Sequence, residues 1–449
     1  MFGIGCGLAI LIDATLVCGV LVPAAMRVLG RADPTRAAGS SGPESGKGDA
    51  HAAAAADTEC MTGQRLSNVA GFHIDRVAAA AGTDPDVLRL ENLDTDVAPP
   101  VEAIDATRTA IGIDEANSWL PFSGRDDLKH AVAALIARRG GPRYEGPQDI
   151  VITCGEGDAM LDALFCVTDP GDEVLLTDPT YAGMVNRVRL VGAVPRFVGL
   201  TASTGEWRLD LDGLRDAVTS RTRAVFINNA SFPSGWVATR EEWDAITGLC
   251  RERDLWLIYW AGFEGVLYDG RNVIHPAALD GMRDRAITIG SVSLEQRMIG
   301  WRVGWVVAPG GLADRVATVH TYNGLVASGF AQIGAVAALT APDDGLATAV
   351  AEWQSRRDAM MRQLDGLPVV RPSGAWSMLL DVASLGADPL DVSARLLEHK
   401  VAATPMLGWG GPIADRQVRF VFSNEPTPRI ALLGDRVRRA LAAAGAVGI

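Results

Sequence analysis

Lysine is almost absent from this chain of 449 residues: among its 41 basic side chains only Lys47, Lys129 and Lys400 are lysines, and the rest are arginines. The bias fits the coding of a GC-rich genome, and it has a chemical consequence. No lysine amine is available anywhere between positions 129 and 400. The six histidines are scattered singly and the six cysteines form no C-x-x-C pair, so no zinc or iron site is expected and the cysteines read as reduced cytosolic thiols. Positive charge is short as well. With a formal net charge of −13 and no basic stripe, the chain lacks the clustered cations that a phosphate backbone requires, which excludes a nucleic-acid partner.

What is present is apolar bulk. At 48% hydrophobic content the chain can bury a large core, and its length suits one two-part subunit with an extension. Residues Phe2 to Leu21 form a nearly continuous apolar run, broken by Asp13 and long enough to cross a bilayer as a helix. Arg27, Arg31 and Arg36 follow the run and no positive charge precedes it, so an inserted helix would leave the remainder in the cytoplasm. Lacking a basic leader, the run does not read as a signal peptide. The stretch from Gly7 to Val17, followed by Val22-Pro23-Ala24, resembles the last membrane helix of MmpL-type lipid exporters, which implies a fused remnant or a start inside an upstream gene. From 32 to about 62 the composition turns to Gly, Ala, Ser, Pro and Asp with no hydrophobic period, as in a flexible linker. The expected location is cytoplasmic, with membrane contact only through residues 1–30.

After Pro147 short β-rich runs alternate with amphipathic helical stretches, which predicts an α/β fold whose mostly parallel sheet is covered on both faces. Seven strands are expected, over Ile150–Thr153, Glu173–Thr177, Arg196–Val198, Arg223–Ile227, Leu255–Tyr259, Ala286–Ile289 and Gly304–Val307. In such sheets ligands sit at the carboxyl ends of the strands. The segments there are Thr153-Cys154-Gly155-Glu156-Gly157-Asp158, Asp178-Pro179-Thr180-Tyr181, Asn229 to Gly235, Tyr259 to Glu264, and Ser291 to Arg302.

The last of these, with Ser291 and Arg302 in place, resembles the cofactor-lysine segment of class I/II aminotransferases, the fold-type I pyridoxal phosphate (PLP) enzymes. Arg89 to Pro100 and Trp119 to Lys129 are similar to two further segments of that family, so the resemblance runs from about Asn68 to the C-terminus. It implies a seven-stranded large domain at 111–313, a smaller α/β domain at 314–449 and an N-terminal segment, 63–110, packed on the latter. It also implies roles. Ser291, Arg302 and the glycines Gly155 and Gly157 would surround the cofactor phosphate, Tyr181 would stack on the pyridine ring, and Arg419 would clasp a substrate carboxylate as a bidentate fork. Six further positions depart from the family. Leu294 stands for the lysine, whose amine forms a Schiff base and shuttles protons. Trp260 stands for the aspartate that keeps the pyridine nitrogen protonated, Phe232 for an asparagine, and Phe263 and Trp119 for tyrosines. Leu93 replaces a glycine beside the substrate carboxylate. Glu156 would put a carboxylate where the phosphate belongs.

These replacements predict an aromatic-lined cavity with Ser291, Arg302, Arg419 and Glu156 as its polar groups, suited to a bulky apolar or aromatic organic acid. The leading expectation is a homodimeric, PLP-independent enzyme of bacterial specialised metabolism, without cofactor or metal. Glu156, Tyr181 and Arg419 are its candidate catalytic groups. Two rivals stand beside it: a catalytically dead binding or partner subunit, and a transaminase-like protein holding PLP non-covalently through Ser291, Arg302 and Tyr181. Arg302 also has a plainer reading, paired with a nearby carboxylate. A working pocket would keep a perturbed carboxylate near Arg419, whereas a dead one would be packed shut.

Overall fold

The β-branched and aromatic runs after Pro147 become strands because their side chains can be buried on both faces of a sheet, as the fully buried run from Ala224 to Ile227 shows. In a computed structural model of the chain, residues 73–144, 147–203 and 205–448 are described, with 66, 69 and 71 before them. The expected apolar helix at 1–30 and linker at 31–62 lie outside the described residues.

The strands are β1 (Leu88–Arg89), β2 (Ile150–Thr153), β3 (Glu173–Asp178), β4 (Val194–Ser203), β5 (Glu206–Leu209), β6 (Thr222–Asn228), β7 (Trp256–Trp260), β8 (Ala286–Ser291), β9 (Gly304–Val307), β10 (Ser377–Asp381), β11 (Val401–Ala402), β12 (Thr404–Pro405) and β13 (Gln417–Val421). The large sheet has the order β2-β9-β8-β7-β6-β3-β4-β5. Its centre, from β8 to β4, is parallel, while β9 runs antiparallel between β2 and β8. All seven expected strands are present, and β5 is an eighth. It arises because β4 continues to Ser203 and the chain turns back at Gly205, whose φ of +81° favours glycine. Trp207 and Leu209 then face the core in alternation with Glu206 and Arg208.

Helices cover both faces of this sheet: α1 (Glu156–Val167), α2 (Ala182–Leu190), α3 (Arg240–Glu252), α4 (Leu312–Asn323) and α5 (Gly329–Thr340). α3 starts at a capping box, in which Thr239 Oγ1 accepts from Glu242 N at 3.2 Å and the Glu242 carboxylate accepts from Thr239 N at 2.6 Å. A second sheet, β10-β13-β12, places Arg419 in register between Leu379 and Thr404. The segment around β1 is held against it, since Leu90 N donates to Ala402 O at 3.0 Å and Val421 N to Leu90 O at 2.9 Å. Residues 63–449 form one compact unit. Among the described residues, no helix is long and apolar enough to cross a membrane.

Candidate functional site

The carboxyl end of β2 turns into α1 at Gly155, which has φ +97°, and a Cβ there would run into the Arg302 guanidinium. The free N–H groups of the first helical turn and the cation above them make this an anion site. A carboxyl group of the chain already occupies it. Glu156 Oε2 accepts from Ser291 Oγ at 2.6 Å, taking the hydroxyl that a ligand oxygen would use, and Ser291 Oγ in turn accepts from Ser293 N at 3.1 Å. Burial pushes the Glu156 carboxyl up, against the pull of Ser291 and the charges of Arg302 and Arg187. Arg302 itself is exposed, in the left-handed region at φ +54°, with Nη1 donating to Ile299 O at 3.0 Å. No ion pair joins it to a carboxylate among the described residues, so the plainer reading of Arg302 is not what the structure shows.

Beyond these polar groups the expected cavity is closed. Trp260 at the end of β7 lies 5.2 Å from Tyr181 and 6.3 Å from Phe263 between ring centroids, and Phe263 lies 6.1 Å from Phe232 and 5.1 Å from Trp376. Gly262 lets the group close up, because a Cβ there would collide with the Trp260 indole and meet Leu294 Cδ1 at 3.1 Å. Phe232, Trp260, Phe263, Leu294 and Trp376 are each at most 2% exposed, so these side chains are packed as core rather than set around an open mouth. The sequence expectation of an open aromatic pocket is corrected on this point. Large rings introduced together pack on one another rather than line a space, since contact between them gains dispersion and buries apolar area.

Arg419 is enclosed in the same packing. Its guanidinium lies 4.7 Å over the Phe232 ring and 4.5 Å over the Trp409 ring, and Nη2 donates to Glu91 O and, at 3.2 Å, to Thr404 Oγ1. Nε and Nη1 have no partner, and burial pushes the group down to about 9. Nη2 is thus committed within the protein, and Trp409 covers the guanidinium from one side.

The other expected site residues lie apart. Trp119 is 74% exposed and packs only edge-on against Phe122, at 5.2 Å. Leu93 is half-buried against the main core. Gly157 faces away from the rings, with its carbonyl accepting from Arg187 Nε at 2.6 Å. Trp409, which the sequence reading missed, reaches the site from the Gly408-Trp409-Gly410-Gly411 loop. That loop is anchored when Asp178 accepts from Ile413 N at 3.0 Å and Ala414 N at 2.9 Å, and when Thr180 N donates to Trp409 O at 2.7 Å. A tryptophan flanked by glycines was the available signal.

Residues 85–426 match the family described as Aminotransferase class I and II. The chain is 30% identical over 357 residues to a probable N-succinyldiaminopimelate aminotransferase of Mycobacterium tuberculosis, covering 75% of this chain and 90% of the relative. It is 29% identical over 356 residues to arginine–pyruvate transaminase of Pseudomonas aeruginosa, covering 78% and 90%. Among solved structures, N-succinyldiaminopimelate aminotransferase from M. tuberculosis superposes with a TM-score of 0.79 at 29% identity, covering 85% of this chain and 99% of that one. These likenesses correct the expectation that no cofactor belongs here, for they place the chain among PLP-dependent aminotransferases and point to PLP. The side chains present fit that group poorly. Leu294 offers no amine, Trp260 no carboxylate and Phe232 no amide, and their rings occupy the sheet's carboxyl end while Glu156 takes the Ser291 hydroxyl. By fold and by sequence, the chain belongs to the class I and II aminotransferase family.

Proposed function

We propose that this aminotransferase-family protein acts as a binding or partner subunit that no longer carries out amino transfer. The observation that supports it is the closed packing of Phe232, Trp260, Phe263 and Leu294, where an enzyme of this fold needs a substrate-sized hollow. In this reading Leu294 stands at the family's lysine position, and no other lysine lies between Lys129 and Lys400 to replace it. An enzyme acting on a bulky organic acid, first among the sequence expectations, would need the Trp409 loop to swing away from Arg419.

A second reading keeps PLP, held without covalent attachment by Ser291, Arg302 and Tyr181. It is favoured by one observation, the exposed Arg302 guanidinium over Gly155 at the N-terminus of α1. Either way the protein works as a homodimer, and exposed apolar side chains such as Trp119, Tyr322 and Phe330 are available to a second copy. The deciding experiment supplies PLP in excess and offers arginine, kynurenine or glutamate as donors to pyruvate or 2-oxoglutarate. No amino transfer above the blank is expected. Turnover with any pair, lost in Arg419→Ala, would sink the proposal.

A further inference from the structure

Behind the first turn of α1 stands a group of side chains that the proposed function leaves unused. Cys154 precedes the helix, Asp158 and Asp162 lie one turn apart on it, and His320 comes from α4, which packs alongside. His320 Nδ1 is 3.1 Å from Asp158 Oδ2 and 3.1 Å from Asp162 Oδ2. The ligating atoms of Cys154, Asp158 and His320 all lie within 4.8 Å of one another. We propose that these three residues, with Asp162 as a fourth donor, form a site for one divalent cation of the zinc class.

The donor set is a thiolate, an imidazole and two carboxylates, which borderline ions such as Zn²⁺ and Co²⁺ accept in tetrahedral geometry at ~2.0–2.3 Å. Tetrahedral donors at those bond lengths stand ~3.3–3.8 Å apart, so closing Cys154, Asp158 and His320 on an ion requires a contraction of up to about 1.5 Å. Three further features suit an ion. Gly324 has φ −105°, a backbone open to any residue, yet a Cβ on it would stand 2.6 Å from Asp158 Oδ2 and 3.2 Å from His320 Nδ1. A side chain there would therefore have to displace Asp158 or His320, at the point where the donors converge. Asn323 Nδ2 donates to Asp158 Oδ1 and, at 3.1 Å, to Asp162 Oδ1, which leaves Oδ2 of both carboxylates turned to the imidazole. Cys154, Asp158 and Asn323 also line a cavity of about 480 Å³, which gives an ion a way in.

Without a cation, a proton on His320 Nδ1 would bridge the two carboxylates as a simple ion pair. A bound ion replaces that proton and the thiol proton of Cys154, so loading releases protons and cross-links the start of α1 to the end of α4. The test is a Co²⁺ titration of the full-length, metal-free protein. One equivalent is expected, with a thiolate-to-cobalt band in the near ultraviolet that Zn²⁺ abolishes by displacement. Cys154→Ser should remove the band, and His320→Gln should weaken binding by at least ~10–100-fold, the scale on which even outer-shell changes act. Cys154→Ser changes one atom of a half-buried side chain, so its titration stays readable if His320→Gln fails to fold. No binding, binding without the band, or a band unchanged in Cys154→Ser would overturn the site and leave an ion pair alone.

Discussion

Arg419 is a cation buried at 0% exposure with two of its nitrogens unpartnered, and two ring faces and two hydrogen bonds are little return for its desolvation. Arg419→Met, apolar and of similar length, is therefore expected to be neutral or to stabilise by ~1–2 kcal/mol, whereas Arg419→Ala leaves a cavity and costs ~2–4 kcal/mol. Urea midpoints of the two variants check this. Equal losses would mean that the charge itself holds the site together. Leu294 tests the same packing from the other side. A lysine at 294 would lie beside Trp260 in an apolar setting that pushes its amine down, with no carboxylate at 260 to complete the chemistry. Leu294→Lys alone should give no amino transfer with added PLP; restored transfer would show that the other replacements are superficial.

At the scale of elements, β7 separates two environments. Trp260 closes the ring cluster on one side, while the preceding residue, Tyr259, points to the other face of the sheet. There its hydroxyl donates to Glu264 Oε1 at 2.8 Å, and Arg139 Nη2 donates to Glu295 Oε2 at 2.7 Å. Two buried carboxyls thus share one nearby cation. Burial pushes Glu264 up to about 7, against the Tyr259 hydrogen bond and the Arg139 charge, and raises Glu295 as well. His275, 4.0 Å from Glu264 Oε1, is pushed down to about 4 by burial and stays neutral. A carboxyl whose folded value lies above the unfolded 4.5 contributes stability that is complete below that pH and is lost as pH rises through about 7. Glu264→Gln keeps an acceptor for Tyr259 and removes the charge. It should flatten the loss between pH 5 and 8 and leave the variant more stable than the parent at pH 8 by up to ~3 kcal/mol. Thermal melts at the two pH values decide it, and parallel shifts in parent and variant would assign the pH dependence to another group.

For the whole molecule, the exposed apolar face around Trp119 predicts association. Trp119→Ser should shift light scattering from dimer towards monomer while leaving the melting temperature of the monomer intact, because the side chain contributes little to its own chain's core. A folded monomer in the parent protein at micromolar concentration would count against the dimer. Residues 63–449 form a compact unit by themselves, and removal of residues 1–62 should leave its thermal transition unchanged. Loss of soluble protein on deletion would show that the two depend on one another.

The order of strands and helices was legible in the sequence because β-branched runs, turn glycines and helical periods act through neighbours a few residues away. Ile150–Thr153 and Gly304–Val307 were read to the residue, whereas β5 was missed because Glu206 and Arg208 interrupt its apolar pattern and leave only Trp207 and Leu209 to mark it. That Leu294 carries no amine and Trp260 no carboxylate is likewise plain from the sequence and needs no coordinates. How those side chains pack depended on the tertiary structure, which brings Trp409 and Trp376 from distant parts of the chain against Phe232 and Phe263. The meeting of Cys154 and Asp158 with a lone His320 was equally hidden, because the spacing that brings donors together here is a distance across two packed helices and not a count along the chain.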